Sequence, residues 1–318
     1  MARLRLGVVG TGAIAARHLR AIADDAMEVV VVAHLGRNPA RTEAAATAWG
    51  GAAFVDLDRF LAEGRPDAVL ITVPPSQHGP IERALIEARI PFLVEKPIAL
   101  DLATSEDIAA RVDAAGLVAA AGFQWRAMDT VDLVRSLVAE RPVRMALGKF
   151  HIGSPPSPWW RREAESGGQM LEQACHLVDI ARLLCGEAEL VGAVGSFAPL
   201  PQYPDGDVAG ASAALLRFAS GAPGVITATC ILPGSSSVEM RLIADELEIV
   251  VDLRGIDVIR NGVATRHELR SVAYAPQDRA FFDAVRAGNP RQVFCTYADA
   301  LETHRLCLAI RDEIRRRA

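Results

Sequence analysis

No stretch of this chain is apolar for long enough to cross a membrane, and no block of basic residues stands out. The first absence argues against a spanning helix, which needs about 20 apolar residues in a row. The second, with a net charge of −5 and a pI near 5.8, argues against nucleic acid as a partner. The five cysteines contain no C-x-x-C pair and their number is odd. That pattern predicts free thiols in a reducing compartment. There is no internal repeat and no low-complexity segment. Glycines interrupt the N-terminal apolar stretch at once, so it reads as a first strand rather than a signal peptide. The expectation is a soluble cytoplasmic protein. Arg315-Arg316-Arg317 is too short for a basic arm and suits the C-terminal end of a terminal helix, where cations are favoured.

What is present is ample for a core: 318 residues, 51% of them hydrophobic, which suggests two domains. Up to about residue 122 the chain alternates between apolar runs and helical segments. Strands are expected at Leu4–Val9, Glu28–Ala33, Phe54-Val55, Ala68–Val73, Phe92–Val94 and Val118–Gly122. Helices are expected at Gly12–Ile22, after Asn38-Pro39, and at Asp58–Ala62, Ile81–Ala88 and Leu102–Ala114. The four valines after Glu28 resemble a parallel strand buried on both faces. Such alternation predicts a doubly wound parallel sheet. From residue 123 to 318 one or two helices come first. Short strand-like runs follow from Val143 to Leu269, with turns at Pro233-Gly234-Ser235 and Asn261-Gly262. These predict an α+β domain with a large, mostly antiparallel sheet. Helices near Asp278–Ala287 and Tyr297–Arg316 close the chain, and the last is expected to pack back on the first domain.

Gly10-Thr11-Gly12-Ala13-Ile14-Ala15 follows a strand and opens a helix. Glycines there allow a tight turn and close approach of a pyrophosphate, which the helix N-terminus favours. NAD would call for an acid at the end of the second strand. Ala33-His34-Leu35-Gly36-Arg37-Asn38 has none, while Arg37 suits a 2′-phosphate. NADP is therefore expected over NAD; the alternative is that Arg37 is plain surface and either cofactor binds. Thr72-Val73-Pro74-Pro75-Ser76-Gln77-His78 forms a stiff wall at the sheet edge, and His78 either touches the cofactor or caps the next helix. Glu95-Lys96-Pro97 places an ammonium at the carboxyl edge of the sheet, where open α/β sheets bind ligands. Glu95 is expected beside the cofactor. Phe123-Gln124-Trp125-Arg126 falls at the domain junction, with Gln124 assigned to the cofactor and Arg126 to substrate.

After Gly167-Gly168 a single helix is expected. At 100° per residue it aligns Glu172, His176 and Asp179 as a polar stripe. Either the stripe is catalytic, with Asp179 assigned to substrate, or it is solvated surface; metal ligation has nothing else to support it. Trp159-Trp160-Arg161-Arg162 either forms a stacking and anion-binding wall, through Trp160 and Arg161, or covers a domain boundary.

Together these motifs resemble the Gfo/Idh/MocA oxidoreductase family over essentially the whole chain. The resemblance rests on Gly10-Thr11-Gly12, on Thr72-Val73-Pro74-Pro75 with His78, on Glu95-Lys96-Pro97, and on the helix with His176 and Asp179. It extends to Phe281-Phe282-Asp283-Ala284-Val285 and Asp299-Ala300-Leu301. It implies a Rossmann domain, a C-terminal sheet whose open face makes a homodimer or homotetramer, and Lys96 beside nicotinamide and reacting oxygen. It further implies that His176 and the acid four residues earlier assist proton transfer. Two departures stand out: Glu172 where the family usually has Asp, and Ala174 where it has Gly.

The expected activity is reversible hydride transfer between a nicotinamide and a secondary alcohol or ketone of a sugar, polyol or related small molecule. Lys96 would hold the reacting oxygen, His176 would be the general acid/base, and Glu172 would orient it or bind a hydroxyl. Two other classes remain: a glycoside hydrolase or lyase using NAD transiently, and a cofactor-binding sensor without turnover.

Overall fold

The computed structural model describes residues 3–200 and 202–318. In chain order the first elements are β1 (Leu4–Val9), α1 (Ala13–Asp24), β2 (Val29–Leu35), α2 (Pro39–Trp49), β3 (Ala52–Phe54) and α3 (Leu57–Arg59). Then come β4 (Ala68–Ile71), α4 (Pro80–Glu87), β5 (Phe92–Val94), α5 (Leu102–Ala115) and β6 (Ala119–Ala121). Their six strands pair in the order β3-β2-β1-β4-β5-β6, all parallel. This is the expected doubly wound Rossmann sheet, with its order reversing between β1 and β4.

Apolar runs such as Leu6, Val8, Leu70 and Leu93 are buried because helices cover the sheet. The second strand departs from expectation. Val30 is 39% exposed, since β3 pairs only with Ala33, His34 and Leu35. The valine half of β2 is therefore a sheet edge, and the buried half carries His34.

The remaining elements are α6 (Val131–Glu140), β7 (Met145–His151), α7 (Glu163–Ser166), α8 (Gln169–Glu172), α9 (Cys175–Cys185), β8 (Ala188–Ser196) and β9 (Ala211–Phe218). After them come β10 (Pro223–Thr229), β11 (Ser237–Ala244), β12 (Leu247–Asp252), β13 (Gly255–Arg260), β14 (Val263–Glu268), α10 (Tyr274–Ala287) and α11 (Tyr297–Arg316). Their eight strands run β14-β13-β12-β11-β7-β10-β9-β8. Every pair is antiparallel except β7 with β10. Asn261 and Gly262 take φ of 50° and 75°, as a two-residue hairpin turn requires. Period-2 alternation is clear: Ala214, Leu216, Ile226, Ala228, Met240 and Leu242 are buried, and α9 packs over that face at β7 and β11. The opposite face carries half-exposed side chains, among them the aligned row Arg241, Leu147, Val225 and Leu215.

The chain divides into two compact units, but not at one point. The first holds the described residues up to Ala99, Ala103–Ala127 and Ser271–Leu301. The second holds Leu100–Leu102, Met128–Arg270 and Glu302–Ala318. The helix returning to the first unit is α10, whose Phe281 and Phe282 enter the core beside β1. α11 belongs to the second unit from Glu302 onward. Among the described residues no helix is long and apolar enough to cross a membrane.

Candidate functional site

In the first unit, β1 ends in Gly10, whose φ of +100° only glycine adopts without strain. A Cβ there would lie 2.7 Å from the carbonyl oxygen of Thr72. The Thr72 hydroxyl donates to the carbonyl of Val9 at 3.0 Å, so Thr72 secures the glycine turn from β4. Gly12 differs. It is the N-cap of α1, and a Cβ added to it meets no atom within 4 Å. Protein packing does not demand a glycine there; the space over the helix N-terminus is left open. Thr11, Ala13 and Ile14 lie on its rim, none of them buried. Such a terminus, with free N–H groups and the positive end of the helix dipole, fits a dinucleotide phosphate.

Arg37, at the end of β2, is exposed and has no ion-pair partner among the described residues. The sequence reading missed a companion. Arg41 donates from Nη2 to the Thr11 carbonyl at 3.4 Å, held one turn into α2, where Asn38 Oδ1 caps the helix by accepting from the Arg41 N–H. Arg41 thus reaches the rim itself, and Arg37 lies four residues earlier on the exposed turn between β2 and α2. Pro74 is half-exposed beyond β4. His78 is buried with Nδ1 2.5 Å from Glu82 Oε1, while Glu82 Oε2 accepts from the Gly79 N–H at 2.6 Å. Through Glu82, His78 braces the start of α4, whose N-cap is Gly79.

Lys96 follows β5 at the carboxyl edge of the sheet and is half-buried. Glu95, expected beside the cofactor, is buried and turned to His18. Its Oε1 lies 3.1 Å from His18 Nε2, and His18 Nδ1 lies 2.9 Å from both carboxylate oxygens of Asp278. Burial alone would depress the His18 pKa. The Asp278 charge, then the hydrogen bonds to Asp278 and Glu95, outweigh it and push the value up to about 10. Gly122 is required here, since a Cβ would fall 2.4 Å from Glu95 Oε1. Neither His18 nor Asp278 was singled out from sequence; their separation of 260 residues hides the pairing.

Gln124 keeps a buried Oε1 without a hydrogen-bond partner among the described residues. Arg126 is buried and its Nη1 is paired with Asp299. Its charge is used within the fold, which corrects its assignment to substrate.

In the second unit the expected single helix is interrupted. α8 ends at Glu172 and α9 begins at Cys175, with the Ala174 N–H reaching back to the Gln169 carbonyl at 2.9 Å. Counting 100° per residue therefore fails across residues 172–176. The stripe is not a solvated face either: His176 and Asp179 are buried, at 6% and 0% exposure. Asp179 Oδ1 accepts from the Thr303 hydroxyl at 2.8 Å, and Thr303 accepts from Arg182 Nη1 at 2.7 Å. Asp179 is thus corrected from substrate ligand to a support that ties α9 to α11. Trp160 is also corrected. It sits in the core with Leu200, Val208 and Cys230 rather than offering a stacking face. Its indole N–H donates to Glu172 Oε2 at 2.6 Å. Arg161 lies over the Tyr203 ring, 3.8 Å from its centroid, and 3.8 Å from Asp205.

A parallel sheet with an open glycine-lined helix terminus and a lysine at its carboxyl edge, joined to a second unit with a large sheet, defines a dinucleotide-binding oxidoreductase. Two family models agree. Residues 4–123 match "Oxidoreductase family, NAD-binding Rossmann fold", and residues 134–250 match "GFO/IDH/MocA C-terminal domain". The chain belongs to the Gfo/Idh/MocA oxidoreductase family and is an enzyme of the NAD(P)-dependent dehydrogenase type. It is 28% identical to myo-inositol dehydrogenase Hyg17 of Streptomyces leeuwenhoekii, with 96% of each chain covered. Among solved structures, KijD10, a 3-ketoreductase from Actinomadura kijaniata in complex with NADP and TDP-benzene, superposes with a TM-score of 0.85 at 23% identity, covering 98% of this chain and 97% of that one. The WlbA dehydrogenase from Bordetella pertussis, in complex with NADH and UDP-GlcNAcA, gives 0.86 at 22% identity, covering 99% and 96%. These two likenesses bear on the fold.

Proposed function

We propose that this enzyme moves a hydride reversibly between NADP and a secondary alcohol or ketone of a polyol or sugar, in the manner named for its inositol-dehydrogenase relative. The observation that carries the reading is the open helix terminus at Gly12 on the same parallel sheet as Lys96, two strands away. The dinucleotide supplies the hydride acceptor or donor. Gly10, Thr11, Gly12, Ala13 and Ile14 hold its pyrophosphate, Thr72 and Pro74 wall it, and Gln124 offers an acceptor to an amide. Arg37 and Arg41 select the 2′-phosphate, since guanidinium groups match phosphate geometry.

Lys96 donates a hydrogen bond to the reacting oxygen and steadies the charge that develops there as its proton leaves. His176 takes or returns that proton, its reference pKa lying near neutrality. Glu172, held by Trp160, binds a neighbouring hydroxyl or orients His176. Arg161 suits an anionic group on the substrate. The half-exposed face of the large sheet, with Leu147, Val225 and Leu215, is the surface we assign to a homodimer or homotetramer.

The test titrates the purified protein with NADPH and NADH by nicotinamide fluorescence. Inositols, hexoses and uronic acids are then offered with NADP⁺ or NAD⁺. Net cofactor reduction with a polyol supports the reading. Bond cleavage without net reduction replaces it with internal-redox hydrolysis or lysis. Binding of neither dinucleotide sinks it.

A further inference from the structure

The first unit buries three titratable groups from three distant parts of the chain. His18 is on α1, Glu95 follows β5, and Asp278 is on α10. Their exposures are 0%, 5% and 0%. They lie beside the apolar cluster of Leu19, Leu93, Phe281 and Phe282. Both ring nitrogens of His18 face carboxylate oxygens, Asp278 at 2.9 Å and Glu95 at 3.1 Å, an arrangement that an imidazolium, with a proton on each nitrogen, satisfies as donor to both. Two buried carboxylates this close need a cation between them, because an unpaired buried charge is costly. The other groups facing the cluster are Tyr274 of α10, whose ring lies edge-on to His18 at 4.9 Å, Arg17 of α1, and Lys96. Arg17 and Lys96 both act on the Tyr274 phenol.

We propose that His18, as an imidazolium held between Asp278 and Glu95, is a positioning residue that sets the charge environment of Lys96 through Glu95. Glu95 faces His18, and Lys96 is the next residue, at a bend just after β5 on the sheet edge where the proposed chemistry takes place. The imidazolium offsets one of the two carboxylate charges, and the remaining negative charge acts on the ammonium of Lys96, the residue next to Glu95. Without His18, two carboxylates share one cation, and Lys96 holds its proton more tightly. His18 also ties α1, the helix that opens at Gly12, to the segment bearing Lys96, so cofactor helix and catalytic lysine are aligned by one ring. The inference rests on the role given to Lys96 above.

The chain contains only two lysines, Lys96 and Lys149. With ¹³C at lysine Cε, two side-chain signals are followed against pH in the full-length protein, and Lys149→Arg assigns them. ¹⁵N-histidine spectra report His18 in parallel, with His18→Gln as the assignment. We expect His18 to remain cationic at pH 8 in the wild type and to titrate lower in Asp278→Asn. We expect the Lys96 midpoint to rise in His18→Gln, on the order of half a pH unit or more for an uncompensated neighbouring charge. It returns close to wild type in the double variant His18→Gln/Asp278→Asn, where one charge of each sign is gone. A general loosening of structure does not predict that return. Should His18→Gln fail to fold, the double variant carries the Lys96 comparison, and a displaced midpoint there overturns the proposal. A neutral His18 at pH 8, or a Lys96 titration unmoved in His18→Gln, also overturns it. Neither readout uses a substrate, so failure of the dehydrogenase reading is detected separately, by the cofactor assay.

Discussion

The indole N–H of Trp160 donates to Glu172 Oε2 at 2.6 Å, from a ring that is itself 1% exposed. A charge-assisted bond from a buried donor fixes the carboxylate at the end of α8, just before the helix breaks. Replacing Trp160 with Phe keeps most of the ring packing and removes the donor. The expected result is a loss of roughly 10- to 100-fold in kcat, as for other small misplacements of a reacting group. Unchanged kcat, with folding verified by circular dichroism, would show that Glu172 needs no such anchor. Trp160→Ala is expected to cost about 3–5 kcal/mol of stability through the cavity it opens, read by chemical denaturation.

Gly10 and Gly12 should behave oppositely. Gly10→Ala forces a left-handed backbone and a 2.7 Å contact with Thr72, so it should lower the melting temperature. In Gly12→Val the added Cβ meets no protein atom within 4 Å. The variant should leave the melting temperature of the free protein close to wild type and weaken dinucleotide binding by 10-fold or more (about 1.4 kcal/mol). Equal dinucleotide affinity for Gly12→Val and wild type would disprove the phosphate assignment.

The proposed choice of NADP rests on Arg37 and Arg41. Arg37→Ser with Arg41→Ser should weaken NADPH binding by about 10- to 100-fold, the worth of one or two hydrogen bonds to a charged group. NADH binding should change little. A parallel loss for both dinucleotides would assign these arginines to something other than the 2′-phosphate.

Lys96→Ala should lower turnover by about 10²–10⁴-fold, the usual contribution of a positioned proton-transfer group. Dinucleotide affinity measured by fluorescence should stay within a few-fold. Near-normal turnover would remove Lys96 from the chemistry.

The buried imidazolium also makes stability depend on pH. An unfolded histidine titrates near 6.5, and folded His18 is pushed up to about 10. The folded state therefore holds a proton that the unfolded state has lost between these values. Its contribution is complete below pH 6.5 and fades as pH rises through 10. Urea denaturation at pH 6.5, 8 and 9.5 should show stability falling more steeply in wild type than in His18→Gln/Asp278→Asn. Parallel curves would place the proton elsewhere.

Much of this was open to a reader of residues alone. The parallel sheet followed from apolar runs alternating with helices, and most strands of the second sheet began and ended near their turn residues. The turn between β1 and α1 that needs Gly10, and the place of Lys96 just after β5, were legible because strand–turn chemistry is local. What failed did so where distant segments decide. Val30 is exposed because β3 is too short to cover it. The stripe of Glu172, His176 and Asp179 assumed an unbroken helix, and Asp179 is claimed by Thr303, 124 residues away.

The sequence by itself determined the period of each element, the glycines that permit the turn, and the residue types present at each strand end. Those depend on neighbours within a few positions. Only the tertiary structure decided which charges remain available. Nothing local in the sequence shows that Glu95 is taken up by His18 or Arg126 by Asp299. The reason is physical. A charged side chain near the core must find a partner, and the partner is supplied by whichever segment folding places there.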